Sequence, residues 1–241
     1  MSSSTIISIA GFAEPVSSMT HLFAAGVFLL LGIRLIYGAR HSLMNIVAFS
    51  VFVISSVFLL SMSGVFHLLA PQSGAREVLQ RLDHAGIFFL IAGTFTAVHA
   101  SLFRGISRWG MLLLIWAVAI TGITLKSIYF HDMPEWLGLS LYLGMGWLGA
   151  VSGVLLYRRY GLHFIRPLLY GALAYTTGAV MDFLRAPVLI DGVIGPHELF
   201  HIAVLMGLGY HLAFIFSVNR APLPIRHEQL TLPDNAILST S

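Results

Sequence analysis

Apolar residues gather in seven long runs along this chain, parted by polar or Gly/Pro-rich breaks. The runs cover residues 19–37, 46–69, 86–103, 109–127, 137–157, 167–183 and 197–218. Each approaches the roughly 20 mostly apolar residues that a helix needs to cross a bilayer. The breaks read "GARHSLMN", "APQSGAREVLQRLDH", "RGISR", "HDMPEW", "RRYGLHFIR" and "RAPVLIDGVIGP", and links of this kind suit antiparallel neighbours. The pattern predicts an all-α protein, a polytopic integral membrane bundle of seven transmembrane helices. Residues 1–18 form an N-terminal segment, 19–218 the membrane domain and 219–241 a polar tail. The run at 167–183 is the shortest, and it holds Asp182. Gly144, Gly149 and Gly153 are expected to let helices approach closely. Trp109, Trp136 and Tyr157, near span ends, read as interface anchors.

Composition supports a bilayer as the solvent. Of 241 residues, 57% are hydrophobic and 10% charged, with a mean hydropathy of +0.87. A water-soluble domain of this size has too much surface to hide that much apolar area. The absence of cysteine excludes disulfides, thiolate metal sites and a cysteine nucleophile. The net charge of +3 reflects scarce acids, and the thirteen basic residues are scattered. Membrane lipids are therefore the expected partners and nucleic acid is not. The pattern does not indicate an oligomeric state. Residues 1–15 hold no Lys or Arg, so they are not expected to act as a signal peptide.

Seven spans impose a geometric rule: odd helices start on the N-terminal face and even helices end there. His67 closes the second run, Asp83 precedes the third, and His197 and His201 open the seventh. All four are expected at one depth, and Thr20, His21 and Asp182 fall there too. On the same face stand Arg76, Arg81, Lys126 and Arg185, four basic residues against nine on the other. That balance favours an N-terminus outside.

His197 and His201 are four apart and share a helix face, as do Ser63 and His67. Three neutral imidazoles hold zinc at about 2.0–2.1 Å and leave a fourth position for water. The ion lowers the pKa of that water toward roughly 7. Asp83 is the candidate proton acceptor. Ser63, one turn from His67, is the candidate donor to a developing oxyanion or a substrate carbonyl. Blander roles compete for each residue. A lone histidine at a helix end often sits idle at headgroup level. Asp83 has Arg81 or a helix N-terminus as alternative partners, and Ser63 suits a packing seam. Asp182 and Arg185, three apart, are expected to pair. His99 and His211, toward the opposite side, leave a haem ligand pair open.

"HELFH", His197–His201, also satisfies H-E-x-x-H, in which two histidines bind zinc and the glutamate is the base of a protease. An intramembrane protease of that kind would also want a distant Asp-Gly ligand. The dipeptide Asp191-Gly192 lies just before His197 and reads as a turn. Glu198 is therefore read as a first-turn acid that complements the helix dipole.

Four stretches carry a family resemblance: "EPVSSMTH" at 14–21, "SGVFH" at 63–67, "LDHAGIFFLIAGTFT" at 82–96 and "HELFH" at 197–201. Together they resemble the hemolysin III family, related to the progestin and adipoQ receptors and more remotely to the alkaline ceramidases. The resemblance runs from Glu14 to about Asn219. It implies a seven-helix membrane protein in which His67, His197 and His201 bind zinc. Asp83 would contact the zinc-bound water, and Ser63 would stand close by. It further implies hydrolysis of ceramide-like lipid amides, or a role in membrane lipid homeostasis, in a bacterial inner (plasma) membrane. A non-enzymatic receptor or sensor with structural zinc is the alternative, as is a membrane-permeabilising hemolysin. Ala97 stands where the third-helix motif usually has proline. The related adiponectin receptors place the N-terminus inside, opposite to the charge balance.

Overall fold

Polar breaks start two of the helices earlier than hydropathy alone suggests. The computed structural model describes residue 8 and residues 12–220. Ser42 accepts a hydrogen bond from the Asn45 backbone N–H at 3.3 Å and caps α2, Leu43–Leu68. Ser73 does the same for Arg76 at 3.3 Å and opens α3, Gly74–Leu102. Glu77 in the first turn of α3 suits the positive end of its dipole. Most of the stretch taken as the second break is therefore helix. Asp83, expected at the start of the third helix, lies about 14 Å along it at 1.5 Å per residue.

The other elements are α1, Pro15–Gly38; α4, Ile106–Ile128; α5, Glu135–Trp147; α6, Gly149–Tyr160; α7, Leu162–Phe183; and α8, Pro196–Arg220. The fifth run thus divides at Leu148, where Gly144, Gly146 and Gly149 lower the cost of leaving the helix. Among the described residues, six helical stretches are long and apolar enough to cross a membrane: α1 to α4, α5 and α6 taken together, and α8. The remaining expected span, the sixth at residues 167–183, lies within α7, which is 22 residues long. Its Arg166, Tyr170, Tyr175, Thr176, Thr177 and Asp182 leave it without a stretch as long and apolar as the six contain. Apart from residues 219 and 220, which close α8, the expected tail lies outside the described residues.

The surface is built for lipid. Phe23, Leu30, Ile106 and Leu113 are among the most exposed residues, while Ser17, Ser18, Ser55, Ser56, His67 and His201 are buried. Apolar side chains outside and polar groups within is the arrangement a bilayer favours. Trp109, Trp136 and Tyr157 are exposed, as interface anchors should be.

Helix α1 packs against α2 and α8, α8 also packs along α7, and α3 lies between α2 and α4. Gly64 permits a close approach of α2 to α1. A Cβ there would come 2.8 Å from Leu22 Cδ2 and 3.1 Å from the Leu22 backbone nitrogen. The Ser18 hydroxyl uses this approach to donate to the Gly64 carbonyl at 2.7 Å. The expectation for Gly144 and Gly153 fails, because a Cβ at either would meet nothing within 4 Å, whereas Gly149 does face Phe95. The end of α2 and the start of α8 are brought together beside the start of α1.

Candidate functional site

Helix capping places two of the three expected histidines. Pro196 opens α8, where a missing N–H costs nothing. Glu198 folds back to accept the Gly195 backbone N–H at 2.9 Å, half of a capping box. It also accepts from the Ser17 hydroxyl at 3.3 Å and is only 2% exposed. This is the dipole-complementing role expected of it. His197 and His201 then project from one face of α8 toward His67 in the last turn of α2.

The nitrogens of His67, His197 and His201 lie within 4.8 Å of one another. His197 Nε2 stands 3.4 Å from His67 Nε2 and 3.1 Å from His201 Nε2. On the far side of its ring, His67 Nδ1 bonds the Glu14 carboxylate. His197 Nδ1 bonds Asp182 Oδ1 at 3.2 Å. A carboxylate only accepts, so each neutral ring carries its proton on Nδ1 and turns a lone pair inward from Nε2. Lone pairs facing one another at this range repel unless a cation or a proton lies between them.

Asp182 was expected to pair with Arg185. Instead Arg185 reaches Glu135 at 3.0 Å, leaving the carboxylate of Asp182 for His197. Arg81, a possible partner for Asp83, goes to Glu77 at 2.7 Å and to the Ser127 carbonyl at 2.9 Å. Asp83 stands outside the triangle of nitrogens, half-buried, within electrostatic reach of His197, His21, His84 and Tyr142. Ser63 is buried one turn before His67. Thr20, at the same depth, is spent on its own helix, donating to the Val16 carbonyl at 2.6 Å.

Sequence reasoning named neither Glu14 nor Arg76 as a site residue. Glu14 immediately precedes Pro15, and its backbone N–H donates to the His67 carbonyl at 3.0 Å. Burial alone would raise its carboxyl pKa. The hydrogen bonds and charges of His67 and Arg76 outweigh burial and hold it at about 2, so it is ionised at neutral pH. The available signal was an acid directly before a helix-opening proline; nothing local marked Arg76. His21, noted only for its depth, stacks on the His201 ring with centroids 4.0 Å apart. It is buried, and neither of its ring nitrogens has a hydrogen-bond partner among the described residues.

His99 does not support a haem pair. Its Nε2 meets Ser152 Oγ at 2.8 Å, its Nδ1 meets the Ser107 carbonyl at 3.0 Å, and its ring stacks against Phe103. Both nitrogens are occupied.

Access to the site is one-sided. The His67 side chain is 2% exposed, but that of His197 is 41% exposed, so the centre opens on the His197 side.

The fold and this geometry define a class: multi-pass helical membrane proteins with a buried cluster of imidazoles at one end of the bundle. The Haemolysin-III related family model matches residues 11–212, and the chain belongs to that family. It is similar to Hemolysin-3 of Bacillus cereus, 31% identical over 176 residues that cover 73% of this chain and 77% of the relative. It is also similar to the Hemolysin-3 homolog of Bacillus subtilis (strain 168), 29% identical over 173 residues covering 69% and 78%. The family match includes every histidine and carboxylate of the site.

Proposed function

We propose that this chain is a zinc protein of the bacterial inner (plasma) membrane whose centre hydrolyses the amide bond of ceramide-like lipids. The observation that carries the reading is the convergence of three Nε2 atoms, two of them on rings whose Nδ1 is given to a carboxylate. Two nitrogens bound tetrahedrally to zinc at about 2.0–2.1 Å stand about 3.3 Å apart. The separations of 3.4 and 3.1 Å fit that requirement. Imidazole also suits copper, nickel and iron, and the resemblance favours zinc among them.

Zinc held by three neutral imidazoles supplies Lewis acidity and acidifies a water molecule. The chain's own residues would do the rest. Asp83 takes a proton from the attacking water and returns it to the departing amine as the C–N bond breaks. The Ser63 hydroxyl donates to the carbonyl oxygen as negative charge builds there. The exposed flank of His197 is the side from which the substrate would enter.

The test is zinc analysis of the purified protein and of His67→Ala, paired with turnover of a ceramide-type amide by wild type and Asp83→Asn. Zinc near one ion per chain, lost in His67→Ala, supports the centre. Turnover lost in Asp83→Asn with zinc retained supports the chemistry. Bound zinc without turnover would favour a receptor or sensor with structural zinc. The name hemolysin, carried by both relatives, supplies a second reading, membrane permeabilisation. It predicts dye leakage from lipid vesicles that is indifferent to the three histidines.

A further inference from the structure

We propose that Glu14, clamped by Arg76, is the positioning residue of His67, so that the residue just before α1 is part of the centre. The assignment rests on the reading of the three histidines as a metal site and adds a residue that acts through one of them.

Glu14 is fixed at both ends. Its backbone N–H donates to the His67 carbonyl at 3.0 Å, and that of Ala13 donates to the Leu68 carbonyl at 3.2 Å. These bonds satisfy two carbonyls that the end of α2 leaves without intrahelical partners. The carboxylate then spans the two sides of the turn: Oε2 accepts a hydrogen bond from His67 Nδ1–H, and Oε1 accepts one from a guanidinium N–H of Arg76. Arg76 is itself held. It donates to the Leu69 carbonyl, and its guanidinium lies 4.5 Å above the Phe66 ring. Three separate stretches, before α1, at the end of α2 and in the first turn of α3, thus meet at the Glu14 carboxylate that holds the imidazole.

The chemical consequence concerns Nε2. With Nδ1–H committed to an anion, the ring cannot adopt the other neutral tautomer, and its rotation is blocked. The anion also makes Nε2 a stronger base toward a cation. His197 has a carboxylate too, but Asp182 is 33% exposed and Arg185 lies on Glu135 instead. The His67 ligand is therefore the pre-organised one, and the other two would close onto it.

The experiment is zinc affinity of the full-length protein in detergent, by chelator competition, alongside the melting temperature of the metal-free form. Glu14→Gln should weaken zinc by about 10- to 100-fold while the metal-free melting temperature changes little. Arg76→Gln should weaken it in the same direction by less, and Glu14→Asp should recover part of the loss. Nitrogen-15 spectra of the wild-type imidazoles should show His67 protonated at Nδ1 and coordinating through Nε2. Unchanged affinity in Glu14→Gln would overturn the assignment while leaving the metal centre standing. Coordination of His67 through Nδ1 would overturn it even if the variants fail to fold. A wild-type protein that takes up no zinc removes both.

Discussion

Asp182 Oδ1 lies 3.2 Å from His197 Nδ1, and through that bond α7 reaches the centre. Arg185, one turn further on, faces away to Glu135. Asp182→Asn should therefore weaken zinc binding by about 10- to 100-fold. Arg185→Ala, which removes only an exposed ion pair, should leave affinity unchanged. Chelator competition on the two variants checks the contrast, and equal effects would mean that Arg185 acts through Asp182 after all.

A bound ion should stabilise the fold as well as serve the site. At a free concentration about 100 times Kd, ligand binding adds about 2.7 kcal/mol. Chelation should lower the melting temperature of wild type and leave His67→Ala unmoved. Thermal unfolding in detergent with and without chelator reads the difference directly.

Glu198 separates a cap from a catalyst. Glu198→Gln keeps an oxygen for the Gly195 N–H but loses the charge at the α8 N-terminus and in the bond from Ser17. The expected cost is about 1 kcal/mol of stability, with zinc content and turnover kept. If zinc stayed while turnover vanished, Glu198 would be the base of an H-E-x-x-H enzyme.

Gly64 tests the α1–α2 contact behind the site. Gly64→Ala places a methyl against Leu22, including its backbone nitrogen at 3.1 Å. Overpacking of this kind costs about 1–3 kcal/mol, and α1 carries Ser18, His21 and, just before it, Glu14. A lower melting temperature with weaker zinc binding is expected. Gly153→Ala, facing open space, should show neither effect.

His99→Ala should destabilise the protein without touching the centre. The substitution leaves buried Ser152 without its 2.8 Å partner and removes the bond to Ser107. An unmade buried hydrogen bond costs about 1–3 kcal/mol. Zinc content should not change, and the absorption spectrum of wild type should show no haem that the variant loses.

The class of the protein was legible in the chain because a bilayer imposes length and apolarity locally, one helix at a time. Each of the seven apolar runs falls within helix, give or take an end residue, though the fifth is divided between α5 and α6. The histidine spacing on α8 placed His197 and His201 on one face without tertiary information, since i and i+4 meet on any α-helix. The helix count put His67 at the same depth, and the resemblance to the hemolysin III family, which the family match bears out, implied the same residue. Local pattern misled where a helix is polar: Ser73 and Glu77 start α3 well before its apolar run, so Asp83 sits inside the helix and not at its tip.

Partnership was decided only in three dimensions. Asp182 and Arg185 are neighbours in sequence, yet each prefers a group from another helix, because burial rewards the carboxylate that finds a hydrogen-bond donor. Glu14 and Arg76 are 62 residues apart and converge on His67 because α1 and α3 both begin where α2 ends. His21 stacks on His201 because α1 packs between α2 and α8. The residues able to bind were written in helical spacing. The groups that orient them came from whichever backbone the packing of these helices brought near, a choice that local periodicity does not encode.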